Sequence, residues 1–343
     1  MATEKRADVY LGGPATIDLL VAELSGLRAG KARELAAGVV SLAPGALVDP
    51  AFARQVLPGA REASGKSASE LAGAILDGAG LVPDLEVTVP ELERRGSRAL
   101  EQHPLAGAEA ELVNLLGKKV AGRAVKHGEA RVPGVRLRVL LLEPWHAWWC
   151  LTPVRDVPPL LAWPSPFPGG RALGEAPRDA PSSAHRKLDE ALAWLGVHPR
   201  EHDLVLDLGA APGGWSSVAL GYGARVVAVD RAALDAKVAA HPRLTHVKQD
   251  AFGYLPEETP TWLLCDVIAE PARSFELARR ALESPALHAL VVTLKLKRPA
   301  KLEVVRAARA LARDTSGWLG RCKQLVANKL EVTLLMRRAD LAT

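Results

Sequence analysis

The sequence predicts an α/β protein in which a doubly wound C-terminal domain follows a smaller α+β region. Three observations lead to this prediction. Strand and helix patterns alternate repeatedly after residue 203, a hairpin pattern ends near residue 151, and a segment rich in Pro and Gly lies between them. The chain has 343 residues, a length that suggests two or three domains. We predict segments at 1–50, 51–156, 157–180 and 181–343, of which the third is a linker.

The N-terminal half has the weaker patterns. Residues 8–14 predict a short strand, 15–24 an amphipathic helix, and 39–48 one or two strands. Ser67 precedes Glu70 by three residues, which is typical of a helix capping box, and Gly80 suits the end of the same helix. Residues 135–143 and 145–151 predict two strands of a hairpin. These elements together predict a small α+β region.

The C-terminal half has the clearer alternation. The predicted strands are 203–208, 224–230, 244–249, 261–267, 289–295, 323–327 and 331–337. The predicted helices are 214–220, 234–240, 271–282 and 301–313. Repeated strand–helix units form a mainly parallel sheet, and such sheets bind ligands at the carboxyl ends of their strands.

Composition excludes several classes of protein. The three cysteines, Cys150, Cys265 and Cys322, are far apart, so neither a disulfide framework nor a cysteine-based zinc site is expected. No HExxH motif occurs, and we expect no metal. The N-terminal residues lack a signal-peptide pattern and no run of 18 apolar residues occurs, so we expect a cytoplasmic protein without a membrane span. We also expect a monomer.

Positive charge is unevenly distributed along the chain. The net charge is +5, but residues 1–158 sum to zero, so the excess lies in the second half. Two local clusters stand out: residues 118–138 hold seven Lys and Arg against one acid, and residues 295–338 hold twelve against three. Such clusters are typical of nucleic-acid-binding surfaces, although charge alone is equally compatible with solvated faces of no special function.

The strongest local signal is a glycine-rich loop after the strand at 203–208. The strand carries Asp207 near its end, and the loop leads into the helix at 214–220. Its proposed ligand-contacting residues are Gly209, Ala211, Pro212, Gly213, Gly214 and Trp215. Glycines allow a backbone to approach a bound ligand closely. A dinucleotide fingerprint requires Gly at the third position, where this loop has Ala211 followed by a proline, so the loop does not predict NAD.

S-adenosylmethionine fits the surrounding residues better. Asp230 ends the next strand, at the position where an acid binds ribose hydroxyls in this type of sheet. Asp250 follows the third strand, where its carboxylate could accept from the adenine amino group. Acids at the ends of three successive strands, counting Asp207, together with the loop, predict an S-adenosylmethionine site.

Five sequence segments resemble the family of FtsJ-like RNA ribose 2′-O-methyltransferases. They are DLGAAPGGW at 207–215, SSAHRKLDEA at 182–191, LCD at 264–266, LKL at 294–296 and LEVT at 330–333. The resemblance covers about residues 180–338 and implies a Rossmann-like methyltransferase domain. It further resembles the members that modify a cytidine of 23S rRNA and that carry an N-terminal ferredoxin-like and THUMP RNA-binding region. This implies a ferredoxin-like unit at 1–50 and a THUMP-like domain at 51–156.

The resemblance also implies site residues. The family's catalytic set maps onto Lys187, Asp266, Lys295 and Glu331, and Asp266 lies beside the cofactor as well. We expect Lys295 to accept the proton of the ribose hydroxyl if Lys187 lowers its pKa. Because the two acids would raise that pKa, Lys295 could instead act as a cation. Two positions depart from the family pattern: Ser183 replaces an arginine, and Ala184 replaces a serine beside the cofactor, so we expect Ser183 or Ser182 to make that contact.

We expect RNA to bind through basic residues of both clusters. The predicted RNA-binding residues are Lys118, Lys119, Arg123, Lys126, Arg136, Arg138, Lys297, Arg298 and Lys301. Arg321, Lys323, Lys329, Arg337 and Arg338 could extend the second cluster. Three alternatives remain open: the same chemistry on another RNA site, a small-molecule O-methyltransferase, and an RNA-binding protein without catalytic activity.

Overall fold

The computed structural model describes residues 5–28, 30–80, 84–90, 103–119, 123–124, 134–172, 180–300 and 302–341. The chain divides into two compact units. The N-terminal unit runs to Val157 and also includes Ala162–Ala172, whereas Pro158–Leu161 and the chain from residue 173 onward belong to the C-terminal unit. The predicted linker at 157–180 is therefore wrong in part, because about half of it belongs to the first unit.

The N-terminal unit contains a sheet of eight described strands. They are β1 (Arg6–Gly12), β2 (Arg33–Ala36), β3 (Val39–Leu42), β4 (Ala53–Ser64), β5 (Asp84–Thr88), β6 (Arg123–Ala124), β7 (Gly134–Glu143) and β8 (His146–Val154). Their order is β2-β3-β1-β4-β8-β7-β5-β6. Since β1 and β4 are paired neighbours, the predicted boundary at residue 50 falls within a single sheet.

Three described α-helices belong to this unit: α1 (Ile17–Leu27), α2 (Ala68–Ala79) and α3 (Ala106–Lys119). Helix α2 begins as predicted, because Ser67 Oγ accepts from the Glu70 amide at 3.3 Å. The Glu70 carboxylate in turn accepts from the amide of Lys66 at 2.8 Å. Leu71 and Ile75 of α2 and Leu112 and Leu116 of α3 are fully buried in one hydrophobic cluster, which packs these helices on the sheet.

Strand β4 was not predicted, because the dipeptide Pro58-Gly59 reads as a turn. The strand continues through it by means of a bulge opposite Asp8, where the register with β1 shifts. Gly59 adopts φ 54°, and its amide donates to Asp8 Oδ1 at 2.6 Å. The hydrogen bond to Asp8 thus keeps Pro58-Gly59 in the sheet, although this dipeptide favours a turn.

The segment around residues 165–169 is fastened to the sheet by buried polar side chains. Ser165 donates its amide to Gln55 Oε1 at 2.9 Å, and Arg138 donates to the Ser165 carbonyl at 2.8 Å. Glu86 accepts from the Gly169 amide at 2.9 Å and also contacts the guanidinium of Arg138. These side chains are almost completely buried. The prediction of an extended segment is wrong in part, because Pro159–Leu161 and Pro168–Gly170 form 3-10 turns. Ala162–Ala172 belong to the N-terminal unit.

The C-terminal unit is a doubly wound α/β domain. Its strands are β9 (Leu204–Leu208), β10 (Arg225–Val229), β11 (Leu244–Val247), β12 (Trp262–Cys265), β13 (Ala289–Lys295), β14 (Trp318–Lys323) and β15 (Glu331–Arg338). Its described helices are α4 (His185–Leu195), α5 (Gly214–Gly221), α6 (Ala236–Ala239), α7 (Pro271–Ala281) and α8 (Leu302–Asp314). The predicted Rossmann-like alternation is confirmed.

The strand order of this sheet is β11-β10-β9-β12-β13-β15-β14. Strands β9 to β13 pair in parallel, whereas β15 is antiparallel to both β13 and β14. From β9 the chain passes first to β10 on one side and later to β12 on the other. The carboxyl ends of β9 and β12 therefore flank a topological switch point, where sheets of this kind bind ligands.

The prediction of a strand at 323–327 is wrong, because β14 ends at Lys323 and the chain then turns. The sequence did not predict β14 because Gly320 interrupts the apolar pattern of its segment. A Cβ atom at this glycine would lie 2.8 Å from the Ala312 carbonyl of α8, so the close approach of helix and strand requires glycine.

Among the described residues no helix is long and apolar enough to span a bilayer.

Glu86 tests how strongly the buried charges hold the N-terminal unit together. Glu86→Gln removes the carboxylate that faces the buried guanidiniums of Arg136 and Arg138, which should cost about 3 kcal/mol of unfolding free energy. Denaturant unfolding measures this loss. Glu258→Gln removes the exposed partner of Arg225 and is the matched control, for which no measurable change is expected. Equal stability of the two variants would contradict this account of the buried network.

Candidate active site

Four charged side chains converge at the carboxyl edge of the C-terminal sheet. Lys187 lies in the first turn of α4, Asp266 directly follows β12, Lys295 ends β13, and Glu331 begins β15. Lys295 and Glu331 are cross-strand partners in the antiparallel β13–β15 pair, which places their side chains next to each other. We call Lys187, Asp266, Lys295 and Glu331 the charged quartet.

Each carboxylate of the charged quartet contacts both lysines. Lys187 Nζ lies 3.1 Å from Asp266 Oδ2 and also contacts Glu331 Oε1. Lys295 Nζ lies 2.9 Å from Glu331 Oε2 and also contacts Asp266 Oδ1. Two positive and two negative charges thus form a closed, neutral arrangement. The side chains of Lys295 and Asp266 are the more accessible pair, at 20% and 16% exposure against 10% and 7% for the other two.

The carboxylates determine the protonation of Lys295. Burial lowers the pKa of its ammonium group, but the charges and hydrogen bonds of Asp266 and Glu331 together raise that pKa above its ordinary value. Of the two directions that the sequence left open for the pKa of Lys295, this arrangement favours the raised one. In the free protein Lys295 is a cation at neutral pH.

The glycine-rich loop between β9 and α5 is shaped by close packing. Gly209 and Gly213 have φ angles of 78° and 111°, which favour glycine. A Cβ atom at Gly209 would lie 2.7 Å from Val267 Cγ2, and one at Gly213 would lie 2.9 Å from Val238 Cγ1. The loop therefore rests directly on the segment that follows Asp266, so the loop and the charged quartet share one rigid edge.

The N-terminal end of α4 also contacts this loop. Trp215 is buried, and its indole Nε1 donates to the Ala184 carbonyl at 2.9 Å, so the Trp215 ring packs beneath the loop. A Cβ atom at Gly214 would collide with Ser182 Oγ. Among the described residues Ser182 Oγ is buried and has no hydrogen-bond partner. Ser183 is exposed, so Ser182 is the serine that lies against the loop.

The three predicted acids have different surroundings. Asp230 accepts from the Ala211 amide at 3.0 Å and from the Ala232 amide at 2.8 Å, so it shapes the loop. Asp250 is partly exposed and pairs with Arg231 at 2.5 Å. Asp207 is buried and accepts from Ser216 Oγ at 2.6 Å. Asp230 and Asp250 are both partly exposed, whereas Asp207 supports the loop from below.

The predicted RNA-binding residues separate into three groups. Arg136 and Arg138 are fully buried in the N-terminal unit, so their assignment to an RNA surface is wrong. Lys118, Lys297 and Arg298 are exposed, as contact with RNA would require. The others, for which the structure describes no side chain, are Lys119, Arg123, Lys126 and Lys301.

Burial also corrects the proposed extension of the second basic cluster. Arg321, Lys323 and Arg337 are buried and do not form part of an exposed face. Lys323 lies over the Trp194 ring, 3.7 Å from its centroid. Arg321 lies over the same ring, 5.3 Å from its centroid, so both of these β14 cations pack against α4.

Sequence reasoning assigned no role to Glu190, which lies one turn after Lys187 on α4. Its buried carboxylate accepts from the Val326 amide at 2.7 Å. This bond ties α4 to the turn before Glu331, and Asn328 continues the connection by donating to Thr333 Oγ1 at 2.9 Å. The spacing of three residues from Lys187 was the available signal, because it places Glu190 on the same helix face.

Residues 181–324 match the family model of FtsJ-like methyltransferases. The C-terminal unit thus contains an FtsJ-like methyltransferase domain, and the prediction of a methyltransferase domain that uses S-adenosylmethionine is confirmed. The acceptor oxygens of Asp230 and Asp250, the glycine-rich loop and the unpartnered Ser182 hydroxyl suit the hydroxyl, amino and carboxylate groups of that cofactor.

Curated relatives of the chain share one name, Ribosomal RNA large subunit methyltransferase M. The protein of Alkalilimnicola ehrlichii is 37% identical over 181 residues, which cover 50% of this chain and 50% of the relative. That of Halorhodospira halophila is 35% identical over 211 residues, covering 60% and 58%. That of Laribacter hongkongensis is 35% identical over 187 residues, covering 51% and 53%. The chain thus matches about half the length of these relatives.

Asp207 makes the stability of the protein depend on pH. Burial raises the pKa of its carboxyl group to about 7, Ser216 opposes this shift, and the charges of Asp266 and Asp230 add to it. The unfolded carboxyl group loses its proton near pH 3.8, whereas the folded one keeps it until about pH 7. Between these values the unfolded state binds fewer protons, so stability falls as the pH rises.

Asp207→Asn should remove this dependence. Relative to the wild type, the melting temperature of the variant is expected to increase by about 3 °C or more between pH 4.5 and pH 7.5. Thermal unfolding at the two pH values measures the difference. Asp340→Asn, at an exposed position, is the control and should change little with pH. Parallel curves for Asp207→Asn and the wild type would contradict the raised pKa.

Proposed function

We propose that this chain is an S-adenosylmethionine-dependent RNA methyltransferase that methylates a ribose 2′-hydroxyl group, and that its target is a cytidine of 23S rRNA. The observation that carries the proposal is the charged quartet beside the glycine-rich loop, in which each carboxylate contacts both lysines. The name shared by the relatives supports a target in the RNA of the large ribosomal subunit.

The residues around the loop would hold the cofactor. We assign the ribose hydroxyls to Asp230, the adenine amino group to Asp250, and the methionine carboxylate to Ser182 and the backbone at Gly213 and Gly214. Ser182 is preferred to the predicted Ser183 because its hydroxyl lies against the loop without a partner among the described residues. S-adenosylmethionine would supply an electrophilic methyl group here, and the electrons of the breaking carbon–sulfur bond would stay on sulfur.

Lys295, in its positively charged form, would position the ribose hydroxyl. Its ammonium group is held by Asp266 and Glu331, yet it is the more accessible of the two lysines. It can donate a hydrogen bond to the 2′-oxygen, aim that oxygen at the methyl group and stabilise negative charge that develops on it. Lys187 keeps Asp266 and Glu331 in place through its own contacts with both.

Asp266 would take the proton that the hydroxyl group loses. Its carboxylate neighbours Lys295 Nζ and is accessible. The hydroxyl group becomes more acidic as the oxygen–carbon bond forms, so a carboxylate is basic enough to take its proton during the transfer. The new oxygen–carbon bond, the proton on Asp266 and the electron pair left on sulfur balance the reaction.

RNA would bind through exposed cations near this edge and on the N-terminal unit. Lys297 and Arg298 follow Lys295 directly and are exposed, so they suit the phosphates flanking the target. Lys118 is exposed at the end of α3 and remains a candidate on the N-terminal unit, as do Lys119, Arg123, Lys126 and Lys301. We retain the THUMP-like and ferredoxin-like assignments of that unit as proposals.

Transfer of labelled methyl groups onto rRNA tests the proposed function. Total rRNA from cells that lack the gene is incubated with the protein and tritiated S-adenosylmethionine, and 2′-O-methyl sites are mapped. Label at a single 23S cytidine, lost in Lys295→Ala although the variant still binds the cofactor, is the expected result. Label at another RNA position would contradict the proposed target. Label only on a free catechol or phenol would favour a small-molecule methyltransferase.

The role of Lys295 is tested by comparing Lys295→Arg with Lys295→Ala in single-turnover experiments. If Lys295 acts as a cation, Arg keeps the charge and should retain activity within about tenfold, whereas Ala should lose about 100-fold. Because the pKa of Lys295 is raised from 10.5, its protonated form persists and the rate should be flat from pH 7 to 9. A rate that rises tenfold per pH unit, with an inactive Arg variant, would instead make Lys295 the base.

A further inference from the structure

The loop after β12 carries an aliphatic side chain that the fold leaves in solvent. Of the large hydrophobic residues that the structure describes, Ile268 is the most exposed, at 90%. Leu255, in the loop after β11, is nearly as exposed, but its loop holds none of the charged quartet. Ile268 lies two residues after Asp266, so the two backbones are within about 7 Å of each other.

This loop is fastened on both sides of Ile268. Asp266 is held by the two lysines of the charged quartet, and Val267 packs against the backbone of Gly209. Glu270 contacts the ammonium group of Lys297, and Pro271 begins α7. The exposure of Ile268 is therefore a property of an anchored loop beside the reacting groups.

The neighbours of Ile268 indicate what it contacts. The strand β12 pairs with β13, whose exit carries the exposed cations Lys297 and Arg298. A surface for protein docking needs a contiguous apolar patch. Here a single exposed apolar side chain lies in a loop that the Glu270–Lys297 ion pair joins to the exit of β13. An apolar contact in a loop joined to exposed cations fits a nucleotide, which has an apolar base face and a charged phosphate.

We infer that Ile268 packs against the face of a nucleobase next to the methylated ribose and so positions the target nucleotide. The inference rests on the proposed function and adds a substrate contact to it. An unstacked base exposes its face, and apolar side chains at the active sites of base-flipping enzymes pack against such faces. The contact would hold the base while Lys295 and Asp266 act on the 2′-hydroxyl group of its ribose.

Steady-state methylation of a 23S rRNA fragment tests the contact. Ile268→Ala should raise the KM for RNA about tenfold, which corresponds to 1.4 kcal/mol, and Ile268→Asp should raise it further by repelling phosphate. Ile268→Phe should have a KM for RNA equal to or below that of the wild type, because an aromatic ring also packs on a base. The KM for S-adenosylmethionine and the melting temperature should stay unchanged in all three variants. Leu161→Ala, at a 54% exposed leucine of the same unit, is the matched control and should behave as the wild type.

Several outcomes would overturn the inference. An unchanged KM for RNA in Ile268→Ala and Ile268→Asp excludes the contact, as does an equal loss in Leu161→Ala. A loss seen with ribosomal particles but not with naked RNA would assign Ile268 to a protein contact. Equilibrium binding of the RNA fragment is measured in parallel. If the wild type transfers no methyl group, the proposed function fails, and the binding data still decide whether Ile268 touches RNA.

Discussion

Two ammonium groups can share a small, largely buried site only because two carboxylates lie between them. Lys187 and Lys295 would repel each other in an apolar setting. Asp266 and Glu331 each contact both lysines, so the arrangement is neutral and every charge has a partner. The antiparallel insertion of β15 beside β13 supplies Glu331, and the switch point of the sheet brings Asp266 beside it.

The same constraint limits the chemistry of the site. A lysine held by two carboxylates keeps its proton, so Lys295 contributes a fixed positive charge more readily than a basic nitrogen. Catalysis then depends on positioning and on charge that is in place before the reaction begins. Glu190 serves this requirement from outside the site, because its bond to Val326 joins the helix that carries Lys187 to the turn that precedes Glu331.

Sequence reasoning predicted those parts of the structure that depend on local pattern. Buried parallel strands read as apolar runs, so the residues at their ends, Asp230 and Lys295 among them, could be assigned to one edge of a sheet. What local pattern could not predict depends on tertiary contacts. Strand β4 passes through Pro58-Gly59 because Asp8 binds the bulge, and β14 contains Gly320 because α8 lies against it. The direction of the Lys295 pKa likewise depends on distances that no sequence pattern contains.

Counting basic residues overestimated the RNA-binding surface for a related physical reason. An arginine on a strand contributes to a charge cluster whether its guanidinium faces water or the core. Arg136 and Arg138 point into the N-terminal unit, where Glu86 and the carbonyls of residues 165 and 166 bind them. Part of the positive charge is thus neutralised within the fold and cannot attract phosphate. Recognition must then depend on fewer cations, which makes an apolar contact such as the one assigned to Ile268 more important, because it adds affinity that salt does not screen.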